Sequence, residues 1–117
     1  MAEAALFIGW GQVVRGREQR AVEVFNESVA YWGQLQADGK IEGFDLALLN
    51  PHGGDLAGFG LIRGSAEQID TLKRSDEFAR NATAADQIVE NYGIVDAAVD
   101  EGIAEGMTIY QEEVAKL

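Results

Sequence analysis

The chain has no cysteine among its 117 residues. That excludes disulfide bonds, thiolate nucleophiles and any metal site built on sulfur, and it fits a reducing compartment. It has a single histidine, His52, so a transition-metal site would lack its usual nitrogen ligands as well. Proline is nearly absent, and with 47% hydrophobic residues the composition is that of a globular chain rather than a disordered one. Positive charge is scarce: 9 Lys and Arg stand against 20 Asp and Glu, a net charge of -11. A field of that sign repels phosphate backbones and anionic membranes, so neither nucleic acid nor membrane is expected as a partner. The acidic surface reads either as a solubilising one or as one that steers cationic ligands.

Long hydrophobic runs are missing too. The apolar stretch Ala4–Trp10 follows Glu3 rather than a basic segment and is far too short to span a bilayer. With no targeting segment in view, a cytoplasmic location is the expectation, and the sequon Asn81-Ala82-Thr83 is read as chance. The length suits one domain over residues 1–117, able to bury about two-thirds of its unfolded surface.

What is present alternates in period. Residues 5–14, rich in β-branched and aromatic types, read as a strand. Over 17–37 the period changes, and Val22, Phe25, Val29 and Trp32 fall on one helix face, with Gly39 placed for a left-handed cap. Two apolar runs, 43–49 and 56–63, flank Asn50-Pro51-His52-Gly53-Gly54-Asp55, a cluster of turn formers that marks a hairpin. Ser65-Ala66-Glu67-Gln68 has the pattern of a capping box and opens a second helix, which a fresh cap at Ser75 interrupts. The continuation is expected to reach about residue 91, burying Phe78, Ala82, Ala85, Ile88, Val89 and Tyr92 and stopping at Gly93. A fourth strand over 94–99 follows. Ile103, Met107, Tyr110 and Val114 then recur at helical spacing in a C-terminal helix of about three turns.

The order β-α-β-β-α-β, with right-handed crossovers and one hairpin, predicts an α+β fold of the ferredoxin-like kind. It has a four-stranded antiparallel sheet with strands one and three at the centre, two helices on one face and a C-terminal helix appended. The uncovered face should be polar if it met water. Instead both faces are apolar: Leu6, Ile8 and Trp10 against Phe7 and Val13; Phe44, Leu46 and Leu48 against Ala47 and Leu49; Leu56 and Ile62 against Phe59 and Leu61. Leaving a few hundred Å2 of such surface wet forgoes about 25 cal/mol per Å2, so a second copy of the chain is the simplest cover.

In this layout, residues 5–99 resemble the dimeric α+β barrel superfamily. That group includes stress-responsive barrel proteins, cofactor-independent antibiotic-biosynthesis monooxygenases and muconolactone-isomerase-like enzymes. The resemblance implies a homodimer formed through the sheet face. Its chemistry stays open between binding of a small apolar or aromatic molecule and monooxygenase- or isomerase-like catalysis, because fold does not fix function.

Gly9 with Gly11, and Gly58 with Gly60, thin the two central strands. Either a ligand approaches there or a helix docks. Among the aromatics, Trp10, Tyr31, Trp32, Phe59 and Tyr92 are candidates to wall an aromatic pocket, with core packing as the alternative. Gln12, Asp45 and Arg63 are the polar breaks in apolar strands; Asp45 and Arg63 either neutralise each other across the hairpin or clamp a substrate. His52 could act as a base, yet its glycine-rich turn suits an exposed residue and a poor haem ligand. Asp96, Asp100, Glu101 and Glu105 lack the spacing of a calcium loop and read as a solvated edge. No phosphate loop, nucleophile elbow or metalloprotease motif is present, so no cofactor and no metal are expected.

Overall fold

The computed structural model describes residues 3–117. The chain runs β1 (Ala4–Trp10), α1 (Glu18–Ala37), β2 (Gly43–Leu48), β3 (Gly58–Gly64), α2 (Ala66–Lys73), α3 (Asp76–Asp86), β4 (Gly93–Ala97) and α4 (Glu101–Val114). The four strands form one antiparallel sheet in the order β2-β3-β1-β4, with β1 and β3 central as the ferredoxin-like reading requires.

Residues directly opposite in an antiparallel ladder share a face. Leu6 opposes Ile62, and Ile62 opposes Phe44; this face is packed by Trp32 and Leu35 of α1, Ile69 and Leu72 of α2, and Phe78 of α3. The other face carries Ala5, Phe7 and Gly9 of β1, Ala47 of β2, Phe59 and Leu61 of β3, and Val95 of β4. No helix covers it. Val95 there is 57% exposed, and Phe7 stacks on Phe59 with ring centroids 5.4 Å apart.

The local signals that define the helix starts are satisfied by hydrogen bonds. Ser65 Oγ accepts from Gln68 N at 3.0 Å while Gln68 Oε1 accepts from Ser65 N at 2.8 Å, and Ser75 Oγ accepts from Phe78 N at 3.1 Å. Gly39, at φ 72°, ends α1 in the left-handed region.

One helix face and two helix boundaries differ from the sequence expectation, and β1 ends at Trp10 rather than at residue 14. The core-facing line of α1 is Ala21, Val24, Ser28, Trp32 and Leu35, one step round from the predicted stripe, and Val22 is 61% exposed. Helix α3 ends at Asp86 rather than near 91. There the chain turns to pair with the segment after β1: Val14 N donates to Ile88 O at 3.0 Å, Glu90 N to Gln12 O at 2.8 Å, and Gly11 N to Glu90 O at 2.7 Å. Those bonds compete with continued helix, and Asn91 at φ 54° completes the reversal, leaving Gly93 as the first residue of β4. Helix α4 starts at Glu101 and runs 14 residues, about a turn longer than expected.

Candidate functional site

The glycines are the key to the site. They do not form one floor: Gly58 and Gly60 face the helices, whereas Gly9 faces the uncovered side opposite Phe59. A Cβ at Gly58 would lie 2.7 Å from the Trp10 ring, and one at Gly60 2.6 Å from the Trp32 ring. Both are well inside the 3.5–4.0 Å of a comfortable carbon contact. The two glycines therefore hold space for two indoles. Gly11 is needed for another reason, since a Cβ there would meet the carbonyl oxygens of Glu90 and Asp55 at 2.8 and 2.9 Å.

Beside these indoles, at the end of the sheet where β1 and β2 finish, a cavity of about 450 Å3 opens between the sheet, α1 and α3. Its walls are almost wholly apolar: Val22, Phe25 and Val29 of α1, Leu46 and Leu48 of β2, and Val89 after α3. The stripe that sequence periodicity assigned to the buried side of α1 is thus the cavity wall. The helix uses one line of side chains to dock and the adjacent line to face the hollow.

Few polar groups reach it. Ser28 Oγ donates to Val24 O at 2.7 Å and accepts from Asn81 Nδ2 at 2.9 Å, a bond that ties α1 to α3 within the cavity wall. Gln12 and Tyr92 also line it, and Glu18 is the one carboxylate among the lining residues. Burial, aided by Asp86, pushes the Tyr92 phenol up to about 12. At neutral pH it is a hydrogen-bond donor and not a base. Trp32 Nε1 is buried with no hydrogen-bond partner among the described residues, while its ring meets Phe44 edge-on.

A stability consequence follows for Tyr92. Between pH 10 and pH 12 an unfolded tyrosine releases its proton while the native one keeps it, so the unfolded state binds fewer protons and stability falls as pH rises through this window. Because the ring is partly exposed, the full two-unit value is discounted to about 2 kcal/mol. Urea unfolding at pH 9 and pH 12 should show the wild type losing about this much more than Tyr92→Phe.

Of the residues singled out from sequence, Trp10, Gln12, Trp32 and Tyr92 are at the cavity. Tyr31 lines a separate groove of about 310 Å3 with Leu35, Ser75 and Glu77, its phenol raised by burial. Asp45, Phe59 and Arg63 lie on the uncovered face, away from the cavity. Arg63 Nε donates to Asp45 Oδ2 at 3.1 Å, diagonally across β2 and β3: the two charges neutralise each other as the hairpin reading allowed. His52 is exposed in the loop after β2, its Nδ1 3.0 Å from Asn50 O. Sequence reasoning missed Ser28 and Asn81. The available signal was a serine in the core line of α1 and an asparagine three residues beyond the buried Phe78, each polar where an apolar residue would pack.

Asp96 and Asp100 of the acidic edge are engaged with cations of the chain. Lys73 Nζ lies 3.1 Å from Asp96, and Arg63 Nη1 3.8 Å from Asp100. Among the described residues no helix is long and apolar enough to cross a membrane.

No protein-family model and no curated protein matches the chain. Solved structures do. A dimeric ferredoxin-like protein of unknown function from Jannaschia sp. CCS1 aligns with a TM-score of 0.63 at 12% identity, over 82% of this chain and 98% of its own. The hydroxynitrile lyase of Passiflora edulis gives 0.63 at 13%, over 86% and 97%. SnoaB, a cofactor-independent oxygenase from Streptomyces nogalater, gives 0.55 at 16%, over 85% and 95%. At these identities the likeness is one of fold, and it is the ferredoxin-like fold that the dimeric barrel resemblance implied. A lyase and an oxygenase on one scaffold also show that chemistry has to be argued from the cavity.

Proposed function

We propose that the chain is a homodimer, joined through the uncovered sheet face, whose cavity takes a small, largely apolar or aromatic molecule. The observation that carries the ligand half is the hollow itself. Its volume of about 450 Å3 lies within the ~300–1,000 Å3 of small-molecule sites, and its walls are apolar with a few convergent polar groups. Burying a flat ring system against Trp10, Phe25 and Leu48 would contribute about 25 cal/mol per Å2. The amide of Asn81 has a donor and an acceptor beyond its bond to Ser28, enough to orient one oxygen of the ligand.

Trp10 and Trp32 are the two tryptophans of the chain, and both line the cavity, so intrinsic fluorescence reads it directly. Titration with 1-nitro-2-naphthol should quench that fluorescence saturably, at one molecule per chain. Ala85→Phe, which fills the hollow, should abolish saturation and leave the circular dichroism spectrum unchanged. Unsaturable quenching of the wild type would overturn the reading.

Catalysis of the monooxygenase or isomerase kind is the second reading. The Ser28–Asn81 pair and the protonated Tyr92 favour it: they supply hydrogen bonds to a substrate oxygen at an otherwise apolar wall. Proton abstraction would fall to Glu18, whose Oε1 accepts from Gly16 N at 2.9 Å. Dioxygen uptake with an added polycyclic phenol, lost in Asn81→Ala, would support an oxygenase. Tight binding without turnover would leave the chain a binding protein.

A further inference from the structure

We infer that α4 is a dimerisation arm whose apolar seam pairs with α4 of a second copy of this chain; the inference rests on the face-to-face homodimer proposed above. Helix α4 is 14 residues long and has no buried residue. Isolated helices shorter than about 12–15 residues are marginal in water, and most helical stability in proteins comes from packing an apolar face. Here the apolar face lies open: Ile103, Met107, Tyr110 and Val114 are 54, 50, 63 and 44% exposed.

The spacing of those residues says what covers them. They recur at intervals of four, three and four, continued three residues on by Leu117, which is the a/d repeat of a two-stranded coiled coil. A helix docking on a globular surface carries a broader stripe, and of the large apolar residues of α4 Ile109 alone, 62% exposed, lies off the seam. The positions flanking the seam are Ala104, Gly106, Gln111 and Glu113, a single charge among them, whereas Glu101, Glu105 and Glu112 point away from it. A seam with few like charges on its flanks can meet its own copy, and a two-fold axis makes a self-complementary patch sufficient.

The joint to the sheet directs the helix outward. Val99 packs on Ala5 beside Leu61 and Ala97, all on the uncovered face, so α4 leaves the sheet on the side where the second copy would sit. The next residue, Asp100, has φ 48° and ψ -123°, a strained conformation that non-glycine residues rarely adopt. Arg63 holds its carboxylate at 3.8 Å. The chain is correspondingly extended: its radius of gyration is 16.0 Å, against about 13 Å for a compact domain of this length. Two heptads would pair weakly alone, but copies already joined through their sheets present the helices to each other at high effective concentration.

Because the chain has no native cysteine, single thiols can be placed at will. Met107 and Tyr110 sit at the middle of α4, where a two-fold axis brings each near its own copy whichever way the helices run. Full-length Met107→Cys and Tyr110→Cys should form disulfide-linked dimers at least tenfold faster than Glu112→Cys on the outer side. Tyr110→Asp should raise the dimer dissociation constant about tenfold in sedimentation equilibrium while leaving the fold intact. A wild-type dimer whose seam and outer thiols cross-link at equal rates overturns the arm and spares the sheet-face dimer. A wild-type monomer overturns both.

Discussion

Alanine at Gly60 is expected to destabilise the chain by about 1–3 kcal/mol, and valine by more. The added Cβ would sit 2.6 Å from Cζ3 and 2.7 Å from Cη2 of Trp32, and the indole has little room to yield. It is 4% exposed, edge-on to Phe44, in the core cluster with Leu6, Ile8 and Ile62. Two effects oppose the clash. Alanine reduces the conformational entropy of the unfolded chain, by about 0.4–1 kcal/mol, and valine suits a strand better than glycine does. Neither is large enough to reverse the sign. Gly93, on the edge strand β4, is the control, because a Cβ there meets nothing within 4 Å. Gly93→Ala should be neutral or slightly stabilising. Urea midpoints at constant m-value measure both, and an unchanged midpoint in Gly60→Ala would mean that the glycine does not hold the indole's space. The same substitution should perturb 1-nitro-2-naphthol binding, since the displaced ring lines the cavity.

The fold was legible because its signals are local and redundant. The β-branched and aromatic run of β1, the turn formers between β2 and β3, the capping box at Ser65, the fresh cap at Ser75 and the glycine after α1 each specify an element within a few residues, and their order then selects the topology. What was not legible depended on pairing across the chain. The end of α3 is decided by hydrogen bonds from residues 88–90 to residues 11–14, which no local pattern reveals. The placement of the candidate residues was hidden for a related reason. Alternation shows that Gly58 and Gly60 share a side of β3, and likewise Gly9 and Gly11 of β1, but register decides whether the pairs face the same way; Trp10 opposite Gly58 puts Gly9 on the other face. Arg63 and Asp45 were drawn toward the ligand by their charge, yet the same register places them on the face away from the cavity. Ser28 and Asn81 gain meaning only when α1 and α3 touch.

Replacing Phe59 with aspartate should convert the proposed dimer to a folded monomer. Phe59 sits mid-strand on the uncovered face, opposite Gly9 and Ala47 and stacked on Phe7. In a face-to-face pair a carboxylate at that point would be buried without a cation, a penalty of several kcal/mol per ion and enough to dissociate an ordinary interface. In a single chain the same side chain reaches water, so circular dichroism should be preserved. Light scattering after size exclusion would read two chains for the wild type and one for the variant. The charges already on this face set the contrast, because Arg63 and Asp45 neutralise each other at the end of β3. Alanine at Arg63 should therefore weaken the pair less than Phe59→Asp does. Ionic strength supplies an independent sign. Two copies each of net charge -11 repel, so added salt should tighten the dimer by screening that repulsion, the reverse of an interface held by exposed ion pairs. A Phe59→Asp variant that stays dimeric would move the interface to another surface, with the seam of α4 the first to test.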